Sequence, residues 1–593
     1  MQARDPLSRV LYIDLTTKKY WVEDRRDLFE EYIGGAGVAI NLLREELPRN
    51  ADPLGPENVI VFAVGPFNGL YPMASKTVSM FKSPLTGNLG ESHAGGRSAI
   101  AIRLAGYGAI VIKGASEIPV YLAVHEDKVY FRDARGLWGL RSTHTVGRVL
   151  REREPGHGFR TVMRIGRAGE KLVRYACVVV DTYRHFGRLG LGAVFGSKRL
   201  KAIVISGRHS IPVEDKAAYR KAYDEILRSI MESGATRKYY ELGTSENVLP
   251  LNELGALPTR NLKESRFEHA KMISGENLAE KYLGRRVSCA HCPVACIHLA
   301  ALREPYVQAP YFYKTVFVSY DYEPIYSLGS MLGVGNPEGL LKLLDAVEVF
   351  GLDAMSAGVA LAWMTEAFER GLITERDTAG VKPSWGDYES YLKALELLVE
   401  QPTEFYSALA RGTEYAAKIY GGEDFALTYG GNEMPGYHTG PAVHIGYATG
   451  ARHSHLDSAG YSFDQKMVGK RVTVEEIVDY LIREERWRQV LTSLVICLFA
   501  RGVYTPQVVI NAFKPLGIEY TEDDLMRIGR KIHLLKLGFK LNEGFDLSRL
   551  RFPKRIFETP TPHGMLDPSF MDEALKAYRS RIEQELKELA TAS

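Results

Sequence analysis

Residues 289–296 read CAHCPVAC, placing three of the chain's five cysteines within eight positions of a 593-residue sequence. The spacing is Cys289-x2-Cys292-x3-Cys296, and soft thiolates this close together can converge on one metal centre. Three thiols leave a closed four-thiolate site one ligand short, so a fourth must arrive from far along the chain. The stretch therefore decides which distant segments must fold against each other. The remaining cysteines are Cys177, in the apolar strand-like run VRYACVVVD, and Cys497, in SLVICLFARG at the end of a helix-patterned stretch. Cys177 reads as core. Three readings stand side by side: a cubane iron–sulfur cluster completed by a distant cysteine, a structural zinc site that would use His291 or His298, and buried thiols with no metal. The short gap comes before the long one, which argues against a radical S-adenosylmethionine cluster.

Composition narrows the setting. The chain is 45% hydrophobic and 25% charged with a net charge of +3, ordinary for a globular protein. No long basic run implies nucleic acid. No apolar run reaches membrane-spanning length, so no membrane insertion is expected. The opening MQARDPLSRVLYIDL lacks the pattern of a signal peptide. Few cysteines in an odd number suit a reducing, cytoplasmic location better than a disulfide scaffold.

The order of elements predicts an α+β protein: a β-rich N-terminal domain followed by two mainly α-helical domains. RVLYIDLTTKKYWVED, two alternating runs about a polar turn, predicts a hairpin. NVIVFAVGP, AIVIKG, VYLAVHEDKVYFRD and KAIVISG continue as strands. Past HSIPVED the apolar period becomes 3.6, and DKAAYRKAYDEILRSIMESG, PEGLLKLLDAVEVFG, AMSAGVALAWMTEAFERG, WGDYESYLKALELLVEQ and VEEIVDYLIREERWRQVLTSLVICLFARG predict helices. Phe570, Leu575, Tyr578, Ile582, Leu586 and Leu589 predict a closing amphipathic helix. The expected domains are 1–211, 212–417 and 418–593. Two glycine-rich loops, KSPLTGNLGESHAGG and GRLGLGAVFG, fit neither a P-loop nor a dinucleotide fingerprint. They suit either tight turns or a backbone pressed against an anion.

Taken together these residues resemble the tungsten-containing aldehyde:ferredoxin oxidoreductase family. In order come IGGAG (33–37), KSPLTG (82–87), AGG (94–96), LAGYGAIVIKG (104–114), GRLGLGAVFGSKRLKAI (187–203), CAHCPVAC, FGLDAMSAG (350–358) and YATGARHSHL (447–456). The resemblance implies a β-saddle that carries a tungsten bis-molybdopterin centre, with Mg2+ bridging the pterin phosphates and a 4Fe–4S cluster beside one pterin. By position, Cys289, Cys292, Cys296 and Cys497 would hold the cluster. Lys76, His93 and Gly95 match first-domain pterin and magnesium contacts. Arg188, Leu189 and Gly190 match the second phosphate loop. The first pterin motif survives as Glu348-x-x-Gly351-Leu352-Asp353. The second keeps only Cys497, with Leu498 after it, and has Thr492 where a carboxylate is expected.

The implied reaction adds an oxygen from water to a small-molecule aldehyde and removes two electrons, giving a carboxylic acid. Glu323 matches the family's proton acceptor and His455 its histidine beside the metal, ahead of His453. Tyr437 would orient substrate. Electrons would leave through pterin and cluster to ferredoxin or a small polyferredoxin-like subunit. A homodimer is also implied, without the bridging iron of some members, because Lys342 stands at its ligand position. Two alternatives remain: the same fold running a different reaction, such as that of an acyl-CoA or aromatic reductase subunit, or a zinc or iron–sulfur structural or relay protein without pterin.

Overall fold

A computed structural model describes residues 5–592. Residues 1–4, the start of the N-terminal stretch considered above, lie outside it. The first third of the chain supplies twelve strands: β1 (Arg9–Asp14), β2 (Lys19–Asp24), β3 (Ile60–Ala63), β4 (Thr77–Lys82), β5 (Leu89–Ala94), β6 (Ala109–Lys113), β7 (Val120–His125), β8 (Lys128–Asp133), β9 (Phe159–Arg164), β10 (Val178–Val180), β11 (Arg184–Phe186) and β12 (Leu200–Gly207). They form two six-stranded sheets, ordered β2-β1-β6-β3-β4-β5 and β11-β10-β9-β12-β7-β8. The predicted hairpin forms, with Arg9 opposite Asp24 and Asp14 opposite Lys19. Its turn is closed by the Asp14 carboxylate, which accepts from the Thr16 and Thr17 amides, an Asx turn. β3, β4, β10 and β12 are buried throughout, as strands covered on both faces must be.

Helices dominate the rest. The segment Glu348–Asp353 shows why its motif has that form. Glu348 sits in the last turn of the helix Pro337–Phe350. Gly351 ends that helix in a left-handed conformation, φ 72°, the preferred C-terminal stop. Asp353 then caps the helix Ala354–Glu369 by accepting from the Met355 amide. Two backbone bonds fasten this joint to the N-terminal sheets: Cys177 N–H to Gly351 O at 2.8 Å and Asp353 N–H to Tyr175 O at 2.9 Å. Cys177 is buried, as expected for a core residue.

Two features depart from the helical pattern read from the sequence. Residues 283–320 form a three-stranded antiparallel sheet, β13 (Leu283–Val287), β14 (Ile297–Tyr306) and β15 (Ala309–Tyr320), in the order β13-β14-β15. The CAHCPVAC loop is the connection between β13 and β14. The long helix Val474–Ser493 also stops short of the expected run to Gly502. Val495 turns left-handed at φ 56°, and its carbonyl accepts from the Lys76 amide at 3.0 Å. That inter-element bond replaces helix continuation and leaves Cys497 in an irregular turn. Helix residues Val490 and Leu491, and residues 494–539 beyond it, share one apolar core with the N-terminal sheets.

Candidate cofactor and active site

Met73 is the point where distant segments meet. Its amide donates to the His291 carbonyl at 2.9 Å, and its own carbonyl accepts from the Cys497 amide at 2.9 Å. The Ala290 amide donates to the Gly96 carbonyl at 2.9 Å. These bonds bring Cys289, Cys292, Cys296 and Cys497 to one place. Burial pushes the Cys292 thiol up to about 12, and the neighbouring Cys497, Cys289 and Cys296 push the same way. Burial also raises Cys296. Cys289 goes the other way: burial opposes ionisation, but the charges of Arg184 and Lys76 outweigh it and hold the thiol low. Arg184 lies 3.7 Å from the Cys296 sulfur through Nη2. Its burial disfavours the charge, and the thiolates around it more than restore it.

Among the described residues, no three His, Cys, Asp or Glu side chains stand close enough to share one metal ion, whereas zinc thiolates sit about 3.8 Å apart. His298 is turned away from the thiols, with Nδ1 and Nε2 each 3.0 Å from a backbone carbonyl, those of Cys296 and Tyr240. His291 contributes its carbonyl to Met73 instead. Gly95 makes room for the loop: a Cβ there would stand 2.6 Å from the Cys289 sulfur and 3.4 Å from Lys76 Nζ.

The Arg188–Gly190 loop lies close by. Leu189 and Gly190 are left-handed, φ 70° and 89°, as are Asp181 and Tyr183, φ 51° and 70°. Non-glycine residues held this way store strain of the kind found at functional sites. A Cβ on Gly190 would meet the Arg174 carbonyl at 2.2 Å. Arg188 is held through Nε to Asp353 Oδ2 at 3.0 Å and through Nη2 to the Glu433 carbonyl at 2.7 Å. Glu348 Oε2 meets His185 Nε2 at 2.6 Å. Leu352 is buried in the joint between helices. The Leu498 carbonyl is already taken by the Arg501 guanidinium at 2.8 Å, and the Thr492 hydroxyl by the Arg488 carbonyl at 2.8 Å.

Glu323, His455 and Tyr437 converge. His455 Nε2 is 3.0 Å from Glu323 Oε1, and the Tyr437 hydroxyl donates to the same oxygen at 3.0 Å. Tyr437 is fixed by stacking on Tyr461, with ring centres 4.5 Å apart. Burial works against ionisation of Glu323, but the His455 charge and the two hydrogen bonds outweigh it, so the carboxyl stays below its ordinary range. Asp321, two residues earlier, is raised to about 6, by burial first and then by the Glu323 charge. His453 does not join them. Its Nε2 faces Lys540 Nζ at 2.8 Å and its Nδ1 the Tyr447 carbonyl at 2.9 Å.

Several of the chain's unpaired buried polar atoms lie on the residues described here. They include donors at Arg184 Nε and Arg188 Nη1, an acceptor at Glu348 Oε1, and His455 Nδ1. Leaving such groups unsatisfied costs about 1–3 kcal/mol each. Two cationic donors, a free carboxylate oxygen and four clustered thiols fit a large anionic cofactor with hydrogen-bonding edges beside an iron–sulfur cluster. The His93 position is different in kind. His93 Nε2 lies 2.7 Å from Glu91 Oε1, and Glu91 Oε2 lies 2.7 Å from Lys536 Nζ. Burial lowers His93 to about 4. Sequence reasoning missed Arg184, Asp321, Glu91 and Lys536: Arg184 and Lys536 belong to no motif and meet their partners from far along the chain, while Glu91 and Asp321 sit two residues from His93 and Glu323 and were passed over for them.

Two family models match the chain: the N-terminal domain of aldehyde ferredoxin oxidoreductase over residues 10–207, and its domains 2 and 3 over residues 221–582. A tungsten-containing aldehyde ferredoxin oxidoreductase of Thermococcus kodakarensis is 32% identical, covering 94% of this chain and 92% of the relative. The WOR-like subunit of an aliphatic sulfonate oxidoreductase from Pyrococcus furiosus is 30% identical, covering 69% and 66%. The fold matches the active-site complex BamBC of benzoyl coenzyme A reductase with 1,5-dienoyl-CoA at a TM-score of 0.82 and 21% identity, covering 97% of this chain and 94% of that one.

Proposed function

The chain belongs to the aldehyde ferredoxin oxidoreductase family of oxidoreductases, and from that premise we propose that it oxidises a small aldehyde to its carboxylic acid and passes the electrons through a 4Fe–4S cluster to a ferredoxin. The observation that carries this reading is the meeting of His455 and Tyr437 on one oxygen of Glu323. It leaves Oε2 free of those two donors and His455 Nδ1 unpaired. A bound bis-pterin tungsten centre supplies the two-electron acceptor.

The chain's own residues do the rest. Glu323 Oε2 takes a proton from water, and the depressed affinity of the carboxyl keeps it ionised and ready to do so. His455, held by Glu323 through Nε2, donates from Nδ1 to the aldehyde oxygen and so polarises the carbonyl. Proton transfer by a positioned group is worth about 10²–10⁴-fold in rate. Tyr437 holds the carboxylate in place. Lys76, Arg184 and Arg188 offer positive charge to pterin phosphates, and Glu348 Oε1 accepts from pterin amines. Asp353 acts through Arg188. By family position, Gly95 and His93 would serve a bound Mg2+. Cys289, Cys292, Cys296 and Cys497 hold the cluster.

A second reading keeps the site and changes the substrate, favoured by the similarity to the sulfonate oxidoreductase subunit. Anaerobically purified protein, analysed for W, Mo and Fe, is to be assayed for benzyl viologen reduction with benzaldehyde, crotonaldehyde and an aliphatic sulfonate, and for turnover of an aromatic acyl-CoA. Aldehyde-dependent reduction with W or Mo present is expected. Folded protein lacking both metals refutes the proposal, and activity on the other substrates alone selects the second reading.

A further inference from the structure

The sheet β13-β14-β15 has an unusual outer face. Register places Ala301 opposite Phe317, Arg303 opposite Thr315 and Pro305 opposite Tyr313. Side chains alternate along a strand, so Tyr311, Tyr313, Thr315 and Phe317 share one face with Arg303. Arg285, opposite Leu299, belongs to the same face. The other face is the packed one: Ala300, Leu302, Val318 and Tyr320 are buried and belong to the helical core.

An antiparallel sheet with one packed face normally shows polar residues outward. Here Tyr311 is 93% exposed, Phe312 on the opposite face is 69% exposed, and Val307 at the turn is 98% exposed. A two-stranded ribbon carrying aromatic residues into water is marginal by itself, and exposed apolar stripes with arginine mark protein interfaces. Among the described residues no ion pair engages Arg285 or Arg303, and the Arg303 guanidinium lies 5.2 Å from the Tyr313 ring centre. The carboxylate of Glu304 is held on the inner side by Lys314 and Lys342. The outer face thus carries positive charge and no acid from its own strands.

We propose that this face docks a small acidic electron-carrier protein of the ferredoxin type, and the proposal rests on the electron-transfer reading above. Its charge is complementary to such a partner and repels a second copy of itself. The cations are spread from the tip side (Arg303) to the base (Arg285) rather than gathered around the tip aromatics, as headgroup contact would require. The base of the same strands is the cysteine loop, since β14 begins at Ile297, the residue after Cys296. From there to the tip is about 33 Å at ~3.3 Å per residue. A carrier of ~100 residues is about as wide, so one gripping the aromatic stripe also covers the thiol loop.

The test uses the holoenzyme and a bacterial ferredoxin carrying two 4Fe–4S clusters as probe. Binding is read by interferometry at low and high salt, and turnover with ferredoxin is read beside turnover with benzyl viologen. Tyr311→Ser/Tyr313→Ser and, separately, Arg285→Glu/Arg303→Glu change only exposed side chains. Each pair is expected to weaken ferredoxin binding at least tenfold and to leave viologen turnover within twofold. The charge pair is also expected to flatten the salt dependence. The proposal is overturned if the unaltered enzyme does not bind ferredoxin at low salt, if the variants bind it equally well, if they instead dissolve a homodimer, or if they instead abolish binding to anionic phospholipid vesicles. Loss of ferredoxin binding in the variants of an enzyme inactive on every aldehyde would leave the docking face standing and remove the aldehyde reading.

Discussion

His455 Nε2 lies 3.0 Å from Glu323 Oε1, although the two residues stand far apart in the sequence. An imidazole against a buried carboxylate fixes the geometry of both, and Tyr437 adds a second contact at the same oxygen.

Removing the carboxylate should remove the proton acceptor. Glu323→Gln is expected to lower kcat by about 10²–10⁴-fold, with tungsten and iron contents unchanged. Steady-state kinetics with metal analysis on the same sample checks this. Near-normal turnover would remove Glu323 from the chemistry.

The pH profile reports the same pair. Burial alone would raise the Glu323 carboxyl, but His455 and the two hydrogen bonds bring it below the ordinary range. A depressed carboxylate stays ionised, and its stabilising contribution persists, until pH falls through that lowered value. The acid limb of kcat/KM should therefore lie below the usual carboxylate region. Tyr437→Phe deletes one bond to the charged form, worth about 0.5–1.5 kcal/mol. It should move that limb upward by roughly half to one pH unit.

Cys497→Ala tests the distant fourth thiol. Iron should fall well below the about four atoms per chain of a cubane, as read by metal analysis and electron paramagnetic resonance. An unchanged iron content would mean that Cys497 is not a ligand.

Gly95→Ala tests the pressed contact between the first domain and the cysteine loop. Its Cβ would meet the Cys289 sulfur at 2.6 Å, so the thiol must shift. The variant is expected to lose iron while the melting temperature of the rest of the protein holds. Gly136→Ala, where a Cβ meets nothing within 4 Å, is the control and should keep its iron.

Lys536→Met leaves Glu91 buried without its cation. Burial pushes that carboxyl up, and Lys536, Arg452 and the His93 bond together hold it well below the usual range. Breaking a buried pair on one side typically costs about 3–5 kcal/mol. A clear fall in melting temperature at neutral pH is expected. The difference from the unaltered protein should shrink in acid, as the pair's contribution is lost when pH falls through the lowered value.

The fold class was legible because strands and helices carry local signatures of alternation and 3.6-residue period, whereas the pairing of Cys497 with the cysteine loop came only from the family resemblance. The motif around Glu348 was placed by the resemblance, and the structure shows the local reason for its form, glycine at 351 ending one helix and aspartate at 353 starting the next. The choice between His453 and His455 could not be made from spacing. Both sit in one short segment, and the contacts that separate them, Lys540 at His453 and Glu323 at His455, come from far along the chain. Arg184 was invisible for a similar reason. It is an ordinary strand residue until Cys289 and Cys296 arrive from a hundred residues away. The run through Val495 reads as helix, yet a carbonyl needed by Lys76 bends the chain out of it. The β13–β15 sheet was hidden because its strands flank the cysteines, where spacing draws attention away from alternation.

The Met73 clasp has a consequence for biosynthesis. Its carbonyl waits for the Cys497 amide, which leaves the ribosome about 10–40 s after Cys296 at 5–20 residues per second. During that interval a nascent protein would carry three reduced sulfurs with no closing partner. The four thiols thus come together only on a nearly complete polypeptide.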